Sequence, residues 1–183
     1  LYATHRGAYW RAGNKNFIVD RVGDPVQPGE VQLPPYYPDH PVTRRDWATY
    51  LNTIQYIDKQ MGQILNRLER EGIADDTAVV FMGDNGRAHL RGKCWLYDPG
   101  IHVPLIIRWP DGRAAGTRNT KLVSGIDITA TILDLANVTV PQWMDGRSIA
   151  SSKFSGRDAI FSARYRVDEA EEAIRAVRTD RYK

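Results

Sequence analysis

Hydrophobic and polar positions divide the chain into a loop-rich opening, a long helix, two short apolar runs, a second helix and a terminal pair of strands. From Trp47 onward, Tyr50, Leu51, Ile54, Ile57, Met61, Ile64, Leu65 and Leu68 recur at helical spacing, which predicts an amphipathic helix with this stripe facing a core. Thr43 reads as its N-cap, Asp46 lies near the positive end of its dipole, and Gly72 reads as its stop. The runs 78–82 and 103–107 are short, unbroken and apolar. That texture predicts strands buried on both faces, with Pro104 tolerated at a strand start. A helical pattern returns over 126–136, with Asp127 or Thr129 near its start. Residues 159–163 and 174–178 flank an acidic turn at 168–172 and predict an antiparallel pair. Up to about residue 42, glycines and prolines predict long loops, with a short strand ending near Thr4. Strand, helix and strand in alternation predict an α/β fold with a mostly parallel sheet flanked by helices.

Composition adds bounds. The 183 residues are 42% hydrophobic and 26% charged, near the average for globular chains, which excludes disordered, collagenous and coiled-coil classes. The net charge of +3, from 25 Lys and Arg against 22 Asp and Glu, is spread along the chain. It argues against a nucleic-acid partner and hints at a small anionic substrate. One cysteine, Cys94, excludes an internal disulfide. No apolar run approaches the roughly 20 residues of a membrane helix. The chain opens on Leu-Tyr-Ala-Thr-His without an initiating Met and closes on Arg-Tyr-Lys, so both ends read as cut.

Candidate chemistry sits where the first apolar run breaks, at Gly83-Asp84-Asn85-Gly86. In parallel sheets ligands gather beyond the carboxyl ends of strands, and an Asp beside an Asn offers two hard oxygens suited to Ca²⁺ or Mg²⁺. Taken alone, the four residues are an ordinary turn. The neighbourhood changes that, because Arg87, His89, Arg91 and Lys93 follow at once and would make one loop both metal-binding and anion-binding.

Here the residues resemble a family. The stretch from Tyr50 to Asp111 looks like the carboxy-terminal half of the sulfatase catalytic domain, in the alkaline-phosphatase-like superfamily. The matching segments follow in order: the helix with Ile57-Asp58 and Met61-Gly62, Asp76-Thr77, Gly83-Asp84-Asn85-Gly86, Lys93, Leu96-Tyr97, Pro99-Gly100-Ile101, and Val103 to Pro110. Ser124 to Leu133, Asp145-Gly146-Arg147-Ser148 and Val177 to Lys183 continue the likeness, which is nearest to the heparan N-sulfatase-like branch.

The resemblance implies that Asp84 and Asn85 are metal ligands, normally to Ca²⁺, and that Lys93 contacts the sulfate and the leaving atom. It implies a sulfate-site histidine, for which His5 and His89 are the candidates, whereas Asp58 reads as structural and His40 and His102 as loop and strand-edge residues. It also implies that residues 1–146 are the later part of a catalytic domain and that 147–183 begin a small antiparallel subdomain. The family nucleophile, a Cys or Ser in Cys/Ser-x-Pro-x-Arg converted to formylglycine, has no match, since Cys94 precedes Trp-Leu-Tyr. Nor does the family's amino-terminal aspartate pair. The expectation is therefore a fragment of a sulfate ester or sulfamate hydrolase, inactive alone, completed by a missing amino-terminal half. A phosphonate or phosphodiester hydrolase of the superfamily and a non-catalytic sulfatase-like module remain as alternatives. Periplasmic, secreted or lysosomal placement goes with the family, and the chain carries no visible signal. Asn137-Val138-Thr139 fits a glycosylation sequon that recurs by chance.

Overall fold

The computed structural model describes residues 21–167 and 170–182. His5 and the strand expected to end near Thr4 lie outside them. The chain divides into two compact units, one running to Val79 and including Arg108–Arg113, the other combining Val80–Ile107 with Ala114–Lys183.

The first unit is organised by α1 (Pro41–Arg70), 30 residues and so about 45 Å long. It begins two residues before the expected cap. His40, expected as a plain loop residue, is the N-cap; its Nδ1 accepts from Val42 N–H at 3.2 Å, and Pro41 takes the first turn, where a missing donor costs nothing. Gly72 follows the helix at φ +70, a conformation that a Cβ would disfavour. Val31, Trp47 and Ala48 form the core with Val26, Leu33, Tyr37, Tyr50 and Leu51 around them. Burial on α1 follows the apolar stripe only in part: Trp47 is buried, with Tyr50 and Leu51 packed against the same core. Ala48, Asn52, Thr53 and Gln60 are buried, while Ile54 and Ile64 are exposed. Asn52 is satisfied where it is buried: its side chain accepts from Val26 N–H at 2.8 Å and donates to Val26 O at 3.3 Å. Both backbone groups of a preceding loop residue are thus satisfied on that side of the helix. Asp58 is exposed on α1.

Strands β1 (Val79–Met82) and β2 (Leu105–Arg108) form a two-stranded sheet. Gly83 N–H, just past β1, donates to Pro104 O, just before β2, at 3.0 Å, so the strands run antiparallel. The mostly parallel sheet is therefore not present among the described residues. Nor are these strands buried on both faces, since Met82 and Ile106 are 43% and 64% exposed. A two-stranded ribbon has an edge on each side and too little cover to bury its apolar faces. The run of valines and isoleucines anticipates a wider sheet than these residues contain.

Further elements of the second unit are the short helix α2 (Asp98–Ile101), closed by an exposed His102 as C-cap rather than as a strand-edge residue, and α3 (Ile126–Leu135). α3 also buries an unexpected face: Asp127, Ala130 and Thr131 are buried, while Ile132 is exposed. The reason is a polar lock. The Asp127 carboxylate accepts from Ser124 N–H at 2.9 Å, Arg147 N–H at 2.8 Å and the Arg157 guanidinium, and Arg157 also donates to Asp145 O at 2.8 Å. Thr131 Oγ1 donates to Asp127 O at 2.6 Å and accepts from Ile149 N–H at 2.9 Å. A Cβ on Gly146 would collide with the Ile126 carbonyl, so this turn and the helix meet backbone to backbone.

The expected hairpin is present as β3 (Ala159–Val167) and β4 (Ala170–Thr179), antiparallel, with Phe161 opposite Val177 and a bulge between Arg164 and Arg166. The strands reach further than the apolar runs because Glu171 and Glu172, expected in the turn, pair with Arg166 and Arg164 on β3. No helix among the described residues is long and apolar enough to cross a membrane.

Candidate functional site

Asp84 and Asn85 follow β1 after Gly83 and are exposed. Asp84 Oδ1 accepts from Asn85 N–H at 2.9 Å, and Asn85 Nδ2 donates to Gly86 O at 2.9 Å. Each side chain thus uses one polar atom to shape the turn. Asp84 Oδ2 and Asn85 Oδ1 make no hydrogen bond among the described residues. Two hard oxygens on consecutive residues fit part of the six to eight that Ca²⁺ takes. Among the described residues no group of three His, Cys, Asp or Glu side chains gathers to hold a metal.

The loop beyond is closed by backbone contacts. The Arg87 carbonyl accepts from His89 N–H and Lys93 N–H, both at 2.8 Å; His89 O accepts from Gly92 N–H and Gly92 O from Trp95 N–H, both at 2.9 Å. Gly86 N–H donates to Gly100 O at 3.0 Å. The register is locked by glycines. A Cβ on Gly86 would fall on the Pro99 carbonyl, one on Gly92 on the Arg87 carbonyl, and one on Gly100 on the Trp95 and Gly92 carbonyls. Arg91 and Cys94 complete the path at φ 59 and 71, the left-handed region that side chains rarely adopt. Gly92→Ala is expected to break the hydrogen bonds that converge on Arg87 O and to disorder the loop. In the intact protein this would read as faster amide exchange across residues 86–100 with a small change in global unfolding.

Within this frame the expected residues separate. Lys93 is exposed and is joined by its backbone to the loop that starts at the Asp84–Asn85 turn. Both ring nitrogens of His89 are buried, while Arg91 is exposed with its guanidinium 5.2 Å from the centre of the Tyr97 ring. His5 lies outside the described residues.

Sequence reasoning missed the residue that braces this loop from behind. Arg164 on β3, its side chain only 7% exposed, places its guanidinium 4.4 Å from the centre of the Trp95 ring, donates to Cys94 O at 3.3 Å and pairs with Glu172. No local pattern marks it, since Arg164 lies 70 residues from Cys94 along the chain. Sequence reasoning also missed the Asp127–Arg157 pair. Burial pushes the Asp127 carboxyl up, but the Arg157 guanidinium and the Arg147 and Ser124 N–H groups outweigh it and hold the carboxyl below its ordinary value.

A family model described as Sulfatase matches residues 11–138. An ulvan-active sulfatase of Formosa agariphila is 34% identical over 152 residues, covering 82% of this chain and 26% of the relative. Human N-sulphoglucosamine sulphohydrolase is 32% identical over 127 residues, covering 69% of this chain and 25% of the relative. The chain thus spans about a quarter of the length of these two relatives. A solved structure of a protein in complex with its substrate D-glucosamine-2-N,6-O-disulfate superposes with a TM-score of 0.66 at 24% identity, over 94% of this chain and 35% of that one.

Proposed function

Because the chain belongs to the sulfatase family, we propose that it is the metal- and sulfate-binding part of a sulfuric ester or sulfamate hydrolase whose substrate is a sulfated sugar. One observation carries the reading. The Asp84–Asn85 oxygen pair and Lys93 belong to a single loop, closed on the Arg87 carbonyl and locked by Gly86, Gly92 and Gly100. That the chain spans about a quarter of its relatives supports placing the nucleophile and the remaining metal ligands in another part of the protein.

In this reading Asp84 and Asn85 hold a divalent cation, Ca²⁺ in preference to Mg²⁺. When bound, the cation supplies Lewis-acid polarisation of the sulfuryl oxygens. Lys93 is a compact charge with three rotatable donors, suited to following negative charge from a sulfuryl oxygen to the leaving atom. Arg87 and Arg91 raise the positive potential over the loop and draw in an anion. A histidine returns a proton to the leaving group. His5 and His89 are the two candidates for that donor in this chain, and both ring nitrogens of His89 are buried.

The reaction class is tested by rates on an aryl sulfate and an aryl phosphodiester, measured side by side with the full-length protein. Faster hydrolysis of the sulfate is expected. Dominant phosphodiesterase activity would overturn the reading.

A further inference from the structure

Arg164 invests more than a hairpin needs. Its charge is nearly buried, yet its carboxylate partner Glu172 is 60% exposed, and Nε makes no hydrogen bond among the described residues. Burying a guanidinium this way is costly unless its remaining edges and faces are used. They are used on the segment that follows Lys93: one face meets the Trp95 ring at 4.4 Å and one amine donates to Cys94 O at 3.3 Å. Cys94 sits at φ 71, so the chain leaving Lys93 turns through a disfavoured conformation where the contact falls. A planar fork can stack and donate in two directions at once, which an ammonium cannot.

We propose that Arg164 is a positioning residue for Lys93. Gripping the Cys94 carbonyl and the Trp95 ring, it fixes the backbone that carries the Lys93 ammonium, so the hairpin sets the geometry of the sulfate contact. The proposal rests on the role of Lys93 given above. The Arg87 hydrogen bond holds Lys93 from the amino-terminal side, and Arg164 holds it from the other. A displacement of about 1 Å at a catalytic group is enough to cost up to a hundredfold in rate.

The test is a double-mutant cycle on aryl sulfate hydrolysis by the full-length protein, with Lys93→Ala, Arg164→Gln and both together. Arg164→Gln is expected to lower kcat about ten- to hundredfold in the wild-type background. In the Lys93→Ala background it should add no more than about a twofold loss. Arg164→Lys, which keeps the charge but not the fork, should lose as much as Arg164→Gln. Equal losses from Arg164→Gln in both backgrounds would overturn the proposal, because a merely structural role lowers the active fraction whether or not Lys93 is present. Wild-type rates from Arg164→Lys would overturn it too, leaving only a field effect. If Arg164→Gln does not fold, Trp95→Leu takes its place in the same cycle, with the same expected coupling and the same contrary result. A Lys93→Ala variant as active as wild type would instead refute the role of Lys93, an outcome separate from these.

Discussion

Asp127→Ala is expected to destabilise the protein by about 3–5 kcal/mol, the range for removing one partner of a buried ion pair. Asp127 is wholly buried and accepts from Arg157, Ser124 and Arg147. Its loss strands a guanidinium whose side chain is 13% exposed and frees two backbone donors at once. Asp127→Asn keeps the shape and removes the charge, and should fall between. The pH dependence follows from the sign of the shift. The folded carboxyl titrates below its ordinary value of 3.8, so its contribution is complete above that value and is lost as pH falls through the lower, folded one. Urea unfolding at neutral and acid pH reads both effects. The gap between wild type and Asp127→Asn should shrink toward the acid end. A variant within about 0.5 kcal/mol of wild type at neutral pH, the range of ordinary surface changes, would contradict the lock.

Lys93→Ala in the full-length protein is expected to lower kcat for an aryl sulfate by about 10²–10³, the usual cost of one preorganised donor at developing charge. KM should change less, because the interaction strengthens as charge builds on the leaving atom. Lys93→Arg should recover part of the rate, since it keeps the charge but spreads it over a plane. Circular dichroism matching wild type separates this loss from misfolding. An exposed side chain with its backbone held by Arg87 gives no reason for the fold to suffer.

Much of the element order was legible because it rests on local rules. The period of α1, the stop at Gly72 and the hairpin of β3 and β4 follow from spacing and turn chemistry, and the helix start moved only because Pro41 let His40 take the cap. What local rules could not show are contacts between distant residues. The Asn52 amide reaches back to Val26, a contact between residues 26 apart that adds a polar group to the buried side of α1 beside Trp47 of the apolar stripe. The Asp127–Arg157 lock spans 30 residues and likewise puts a polar group on the buried side of α3. Parallel strands were expected from apolar runs that alternate with helices, a pattern that reports burial and order but not direction, and the Gly83–Pro104 hydrogen bond reverses that expectation for β1 and β2. In the candidate site, the Asp-Asn turn and Lys93 were legible as a motif. Arg164 was not, since a single arginine on a strand has no signature until the fold sets it over Trp95.

That one loop carries both the metal ligands and the sulfate contact is tested most directly by the Ca²⁺ dependence of aryl sulfate hydrolysis. The comparison is between wild-type full-length protein, Asp84→Ala and Lys93→Ala after chelation and back-titration. The Ca²⁺ concentration for half-maximal rate is predicted to rise at least about tenfold in Asp84→Ala, since even residues behind the ligands cost that much, and to stay unchanged in Lys93→Ala at its lower ceiling. An Asp84→Ala protein with the wild-type Ca²⁺ dependence would contradict the account.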